Sequence, residues 1–176
     1  MKMDITPLLA VYGAVVSSFV AGWNVFRDLR DRPSVKVRAK VGYVLTNPDG
    51  RQLFVAYSWV LKRQLVPDEA PLIKMTFTNT GRRPITLGMW GAELKAGSET
   101  PCLFCAPYNL PKSLPEGESV DEFTKDLSIL GDRTKRIWGQ DSTERYWYLP
   151  KSSLKSARGD RALLEGQKRS IEEKGS

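Results

Sequence analysis

Leu72 to Leu94 reads LIKMTFTNTGRRPITLGMWGAEL, and this stretch decides the fold class. Ile73, Met75 and Phe77 alternate with Lys74, Thr76 and Thr78. A period of two puts the first set on the buried side of a half-buried strand. Asn79-Thr80-Gly81-Arg82-Arg83-Pro84 is a turn cluster. Ile85 to Leu94 then returns as the next strand. Within it, Gly88 and Gly91 mark a bulge or a close approach of two backbones.

The same grammar extends in both directions. In Ser34 to Tyr43, Val35, Val37, Ala39, Val41 and Tyr43 alternate with basic residues, predicting a strand with a basic outer face. Asn47-Pro48-Asp49-Gly50 is a turn, and Gln52 to Leu61 is a strand rich in aromatic and β-branched residues. Val66 to Pro71 breaks the chain again. Downstream, Leu114-Pro115-Glu116-Gly117-Glu118 is a further turn. Lys135 to Gly139 and Arg145 to Leu149 are the last two strands, joined across Gln140 to Glu144. Ser119 to Leu130 is ambiguous. Val120, Phe123, Leu127 and Leu130 fit a helical face, and Ser119 with Glu122 has capping-box spacing. Short strands between turn clusters predict a mainly β chain built as an antiparallel sandwich.

Three segments carry a resemblance. Thr76 to Leu87, TFTNTGRRPITL, resembles the strand-turn-strand of bacterial immunoglobulin-like sandwiches. Leu114 to Ser119 looks like a later turn of such domains, and Asp141-Ser142-Thr143 before Tyr146 resembles their closing hairpin. The chain is thus similar, over residues 34–149, to small bacterial single-pass membrane proteins with a cytoplasmic immunoglobulin-like β-sandwich, a group of unassigned function. The resemblance rests on turn chemistry. It implies a fold and brings no catalytic residues.

Ahead of the strands lies Ile5 to Phe26, ITPLLAVYGAVVSSFVAGWNVF, a run without a charged residue. As a helix it spans about 33 Å, enough for a hydrocarbon core of about 30 Å. Its length and the near-neutral start MKMD favour an uncleaved anchor over a signal peptide, although Val20-Ala21-Gly22 makes a weak cleavage site. Lys2 precedes the run, whereas Arg27, Arg30, Arg32, Lys36, Arg38 and Lys40 follow it. This asymmetry predicts a single-pass inner-membrane protein with its N-terminus outside and its C-terminal domain cytoplasmic. Arg27, Arg30 and Arg32 are then membrane-surface residues able to meet anionic lipid headgroups. Ala10, Gly13, Ala14, Ser17, Ser18, Ala21 and Gly22 share one helical face. Small residues let a second helix come close in lipid, so this face is expected to pack on other transmembrane subunits.

The expected organisation is residues 1–32 as anchor and juxtamembrane segment, 33–150 as the sandwich, and 151–176 as a short basic tail, helical or disordered. In the tail Ala157, Leu164 and Ile171 recur every seven residues, with Leu154 and Leu163 nearby. Net charge is +7, yet no nucleic-acid-binding motif accompanies it, so no nucleic-acid partner is expected.

The chain has no histidine, which removes the commonest general base and metal ligand. It also has no glycine-rich phosphate loop. Cys102 and Cys105 form one C-x-x-C between Pro101 and Pro107, too few ligands for zinc. They read as reduced thiols in a loop. Glu116, Glu118, Asp121, Glu122 and Asp126 read as solvated surface charge. Trp59, Trp90, Trp138, Tyr146 and Trp147 read as core or interface aromatics. No catalytic, cofactor or metal site is expected. The reading is a non-catalytic, membrane-anchored interaction subunit that docks on the cytoplasmic side of a multi-subunit complex, with a photosynthetic or respiratory assembly as one candidate. The alternative is a tethered receptor or sensor that binds a soluble ligand through its sandwich loops.

Overall fold

Alternation of apolar and polar residues becomes alternation of burial in the computed structural model, which describes residues 6–47, 49–57, 70–97 and 100–175. The elements are α1 (Thr6–Arg30), β1 (Val35–Thr46), β2 (Gln52–Ala56), β3 (Leu72–Asn79), β4 (Ile85–Leu94), β5 (Cys102–Cys105), β6 (Lys112–Leu114), β7 (Ser119–Thr124), a 3-10 turn (Leu127–Leu130), β8 (Thr134–Asp141), β9 (Tyr146–Tyr148) and α2 (Lys151–Gly175). The described chain is mainly β, with two antiparallel sheets and an N-terminal apolar helix. One sheet has the order β2-β1-β3-β7. The other runs β5-β4-β8-β9, with β6 also paired to β4.

β3 buries Ile73, Met75 and Phe77 completely. Its outer face is laced to β7. Lys74 Nζ lies 2.7 Å from Asp121 Oδ2, and the Thr76 hydroxyl donates to Asp121 Oδ1 at 2.7 Å. In β4 the register shifts between Leu87 and Met89. The shift moves burial from odd positions, Ile85 and Leu87, to even ones, Trp90 and Ala92. Gly88 therefore marks the bulge. Gly91 marks the close approach, because a Cβ there would lie 2.3 Å from the Leu103 carbonyl oxygen of β5.

Residues of both sheets meet in one hydrophobic core that includes Val37, Val41, Phe77, Leu87, Trp90 and Ile137. Gly139 of β8 shows how close the sheets come, since a Cβ there would stand 2.5 Å from the Phe77 ring of β3. Asn79 ties the end of β3 to its surroundings. Its side-chain amide donates to the carbonyls of Arg83 and Leu114 at 2.8 Å each, and its Oδ1 accepts from Gly81 N–H at 2.9 Å.

Two open readings resolve and one expectation changes. Ser119–Thr124 is a strand, not the start of a helix, and only Leu127–Leu130 turns. Pairing with β3 along Ile73 to Thr78 outweighs the helical spacing. The cysteine segment is an edge strand paired with β4 rather than a loop. The segment after Pro150 is a 25-residue helix. Leu154, Ala157 and Leu164 join the core, while Leu163 is 56% exposed. Arg158 fastens the helix to the sheets by donating to the carbonyls of Leu130 and Gly131 at 3.1 and 2.9 Å. The expected strand over Gln52 to Leu61 is seen as Gln52–Ala56, and Ser58 to Leu61 lie outside the described residues, as does Trp59.

Candidate functional site

From Leu9 to Asp28, α1 is long and apolar enough to cross a membrane, and none of this stretch is buried against the rest of the chain. Phe19 is 74% exposed and Tyr12 69%. A helix that apolar would normally bury a stripe against its own domain. The expected packing face of Ala10, Gly13, Ala14, Ser17, Ser18, Ala21 and Gly22 lies on this helix and is exposed throughout. At Gly13 and Gly22 an added Cβ would meet nothing within 4 Å. The Ser18 hydroxyl donates back to the Ala14 carbonyl at 2.9 Å, so it is satisfied within the helix. Arg27 and Arg32 are exposed at the helix end.

The junction between α1 and the sheets is tightly specified. Thr80 and Gly81 N–H donate to the Ser34 carbonyl at 2.8 and 3.1 Å. A Cβ on Gly81 would sit 2.6 Å from the Arg32 carbonyl oxygen and 2.5 Å from Ser34 N, so this turn admits only glycine without moving the linker. The turn between β3 and β4 therefore holds the chain leaving α1. A cavity beside it is lined by Asp28, Arg32, Pro33, Arg83 and Arg145. Arg83 and Arg145 were not legible in the sequence as partners of Arg32, because they lie about 50 and 110 residues further on.

Arg145 belongs to the hairpin between β8 and β9, which Asp141 organises. Asp141 Oδ1 accepts from Thr143 N–H at 2.9 Å, the Thr143 hydroxyl at 2.7 Å and Arg145 N–H at 3.0 Å, and Oδ2 accepts from the Trp147 indole at 3.0 Å. Burial alone would raise the Asp141 pKa. Donation from Thr143, Arg145 and Trp147 outweighs it and holds the carboxyl below its ordinary value. A carboxyl depressed in the folded state stabilises above its unfolded pKa of about 3.9 and loses that contribution as pH falls through the folded value. We expect Asp141→Ala to cost about 1–3 kcal/mol at neutral pH, the range for stranded buried donors. The difference from wild type should shrink as pH drops below about 4. Thermal melts across that range check both statements.

The acidic residues divide. Glu116 and Glu118 are exposed as expected. Glu122 is not a solvated charge but is fully buried. Its two oxygens accept from the N–H groups of Tyr108 and Asn109 at 2.7 and 2.6 Å, so it caps the loop before β6. No group of three or more metal-capable side chains occurs among the described residues.

Cys102 and Cys105 stand three apart on a strand. Side chains at that spacing point to opposite faces. Cys105 packs toward the core beside Leu103, and burial pushes its thiol up to about 12. Such a pair cannot grip one ion and lacks a reactive thiolate at Cys105. Changing both to Ser is expected to leave insertion and partner binding intact. Stoichiometric zinc in the purified protein, lost in the double variant, would contradict this.

Of the singled-out aromatics, Trp90 is fully buried and Trp138 is 4% exposed. Trp138 lies on the outer face of its sheet beneath a row of rings. Phe104 meets it edge-on at 5.7 Å and Tyr146 at 5.2 Å, and Tyr148 stacks on Tyr146 at 6.3 Å. Arg136 lies 4.5 Å over Tyr148, and with Lys135 it pairs with Glu93. Phe104 remains 70% exposed and Tyr146 47%.

Comparison with protein-family models, curated proteins and solved structures gives no match for this chain.

Proposed function

We propose that the protein is a non-catalytic, membrane-anchored interaction subunit. In this reading α1 crosses the bilayer once and packs its small-residue face on other membrane helices. The two sheets form an immunoglobulin-like sandwich that docks on the cytoplasmic side of the same assembly. One observation carries the reading: a helix without a charged residue up to Phe26, whose apolar side chains from Leu9 to Phe26 lie exposed, unpartnered by its own domain. In water such a surface is costly, at roughly 25 cal/mol for each Å², and a bilayer removes that cost. The pinned linker at Ser34 supports the reading as well, because it transmits the helix position rigidly to the sheets.

A second reading, a tethered receptor or sensor for a soluble ligand, has the exposed aromatic row of Phe104, Tyr146 and Tyr148 in its favour. Purification in mild detergent followed by mass spectrometry separates the two. A stoichiometric membrane-protein partner supports the subunit. A lone protein carrying a small molecule supports the sensor and sinks the first reading.

Orientation has its own test. Glu116 is exposed in the turn before β7. In a chain with both native cysteines changed to Ser, Glu116→Cys should react with a membrane-impermeant maleimide only after spheroplasts are lysed. Rapid labelling of intact spheroplasts would place the domain outside.

A further inference from the structure

We propose that the junction beneath α1 binds the phosphate of an anionic phospholipid headgroup, held by Arg32, Arg83 and Arg145. The proposal rests on the anchoring reading above and gives it a defined lipid site. Three separate segments bring these arginines together: the linker after α1, the turn between β3 and β4, and the hairpin between β8 and β9. They line one cavity of about 520 Å³. It opens against the end of the stretch Leu9–Asp28, which is headgroup depth if that stretch spans the bilayer.

The charges there are free to bind. All three arginines are exposed, and none enters an ion pair among the described residues. The acid nearest in sequence to Arg145 is Glu144; the nearest buried one, Asp141, is saturated. Its oxygens are occupied by Thr143, the Arg145 backbone and Trp147. Among the described residues Asp28 is the only acid lining the cavity, and it leaves an excess of positive charge. Guanidinium groups present planar forks of donors that match phosphate oxygens. The close approach of Gly81 to the linker fixes Arg32 relative to Arg83 without any ligand, so the site is largely preformed. An adjoining cavity of about 280 Å³ shares Arg83 and Arg145 and is lined by Asp141, Ser142 and Thr143, which gives room for the polar, uncharged remainder of a headgroup.

The test uses the full chain in nanodiscs of phosphatidylcholine with a minority of phosphatidylglycerol, released for native mass spectrometry. Wild type should retain phosphatidylglycerol preferentially. An arginine near an anionic surface contributes about fivefold in binding, so Arg83→Gln with Arg145→Gln should lower retention about 25-fold. Arg38→Gln with Lys40→Gln removes equal charge from the exposed face of β1 and should change retention little. Thermal melts matched to wild type show that each variant folds. Equal loss in both double variants, or no preference for phosphatidylglycerol in wild type, overturns the site while leaving the anchor intact. Failure of wild type to enter nanodiscs overturns the anchor as well. A parallel titration of detergent-solubilised protein with glycerol phosphate separates the sources. Arginine-dependent binding of this soluble ester as strong as that of the lipid would overturn the headgroup assignment in favour of a free phosphate.

Discussion

Ending the chain after Pro150 is expected to unfold the sheets. The lost helix carries Leu154, Ala157 and Leu164, each at most 5% exposed and part of the common core. Removing a buried leucine side chain costs about 2–5 kcal/mol. Two of them, with the Arg158 bonds to Leu130 and Gly131, approach the whole stability of a domain, about 5–15 kcal/mol. Point variants sharpen the test. Leu164→Ala should cost about 2–5 kcal/mol, whereas Leu163→Ala, at an exposed neighbour, should stay within about 0.5 kcal/mol. Circular dichroism melts in one detergent compare all three with wild type. A truncated chain that melts within a few degrees of wild type would show that the sheets do not need this helix.

The second large effect concerns the membrane. Gly13 and Gly22 have open space above them, and Ser17 lies on the same face. Helices that approach over such residues have no room for a large side chain, and overpacking costs about 1–3 kcal/mol. Gly13→Leu with Ser17→Leu should therefore release the protein from its partner while it stays inserted. Val16→Leu with Val20→Leu, on the opposite face, should do much less. Co-purification in mild detergent at matched expression reads the difference. Equal retention of both variants would make the small face ordinary lipid-facing composition and leave the soluble domain as the docking surface.

Much of the fold was legible because turns and alternation are local signals. The turn from Asn79 to Pro84 and the irregular backbone at Gly88 and Gly91 follow from residue chemistry, whereas pairing with β8 and β5 decides that Gly88 is the bulge and Gly91 the close approach. What escaped has a common cause, which is that distant partners set the outcome. In β7 the inward positions are Val120 and Glu122. A carboxylate at an inward position breaks the apolar alternation, so the sequence leaves strand and helix both open here. Its burial depends on two N–H groups from a separate loop. The C-terminal helix has a thin apolar stripe that means little until the open end of a core is there to receive Leu154 and Leu164. Cys102 to Cys105 is short and flanked by prolines, and only pairing with β4 makes it a strand.

The candidate site divides in the same way. The apolar run, its small-residue face and Arg27, Arg30 and Arg32 stand in one continuous stretch and could be read directly. Arg83 and Arg145 reach the helix end only because β4, β8 and β9 share a sheet. The Asp141 hairpin could be seen as a turn, but its role in presenting Arg145 depends on the geometry of its hydrogen bonds.

Whether α1 anchors the protein across a bilayer is read by alkaline carbonate extraction of native membranes. The protein should stay in the membrane pellet with integral proteins. Complete release into the supernatant, as for a peripheral protein, would contradict it.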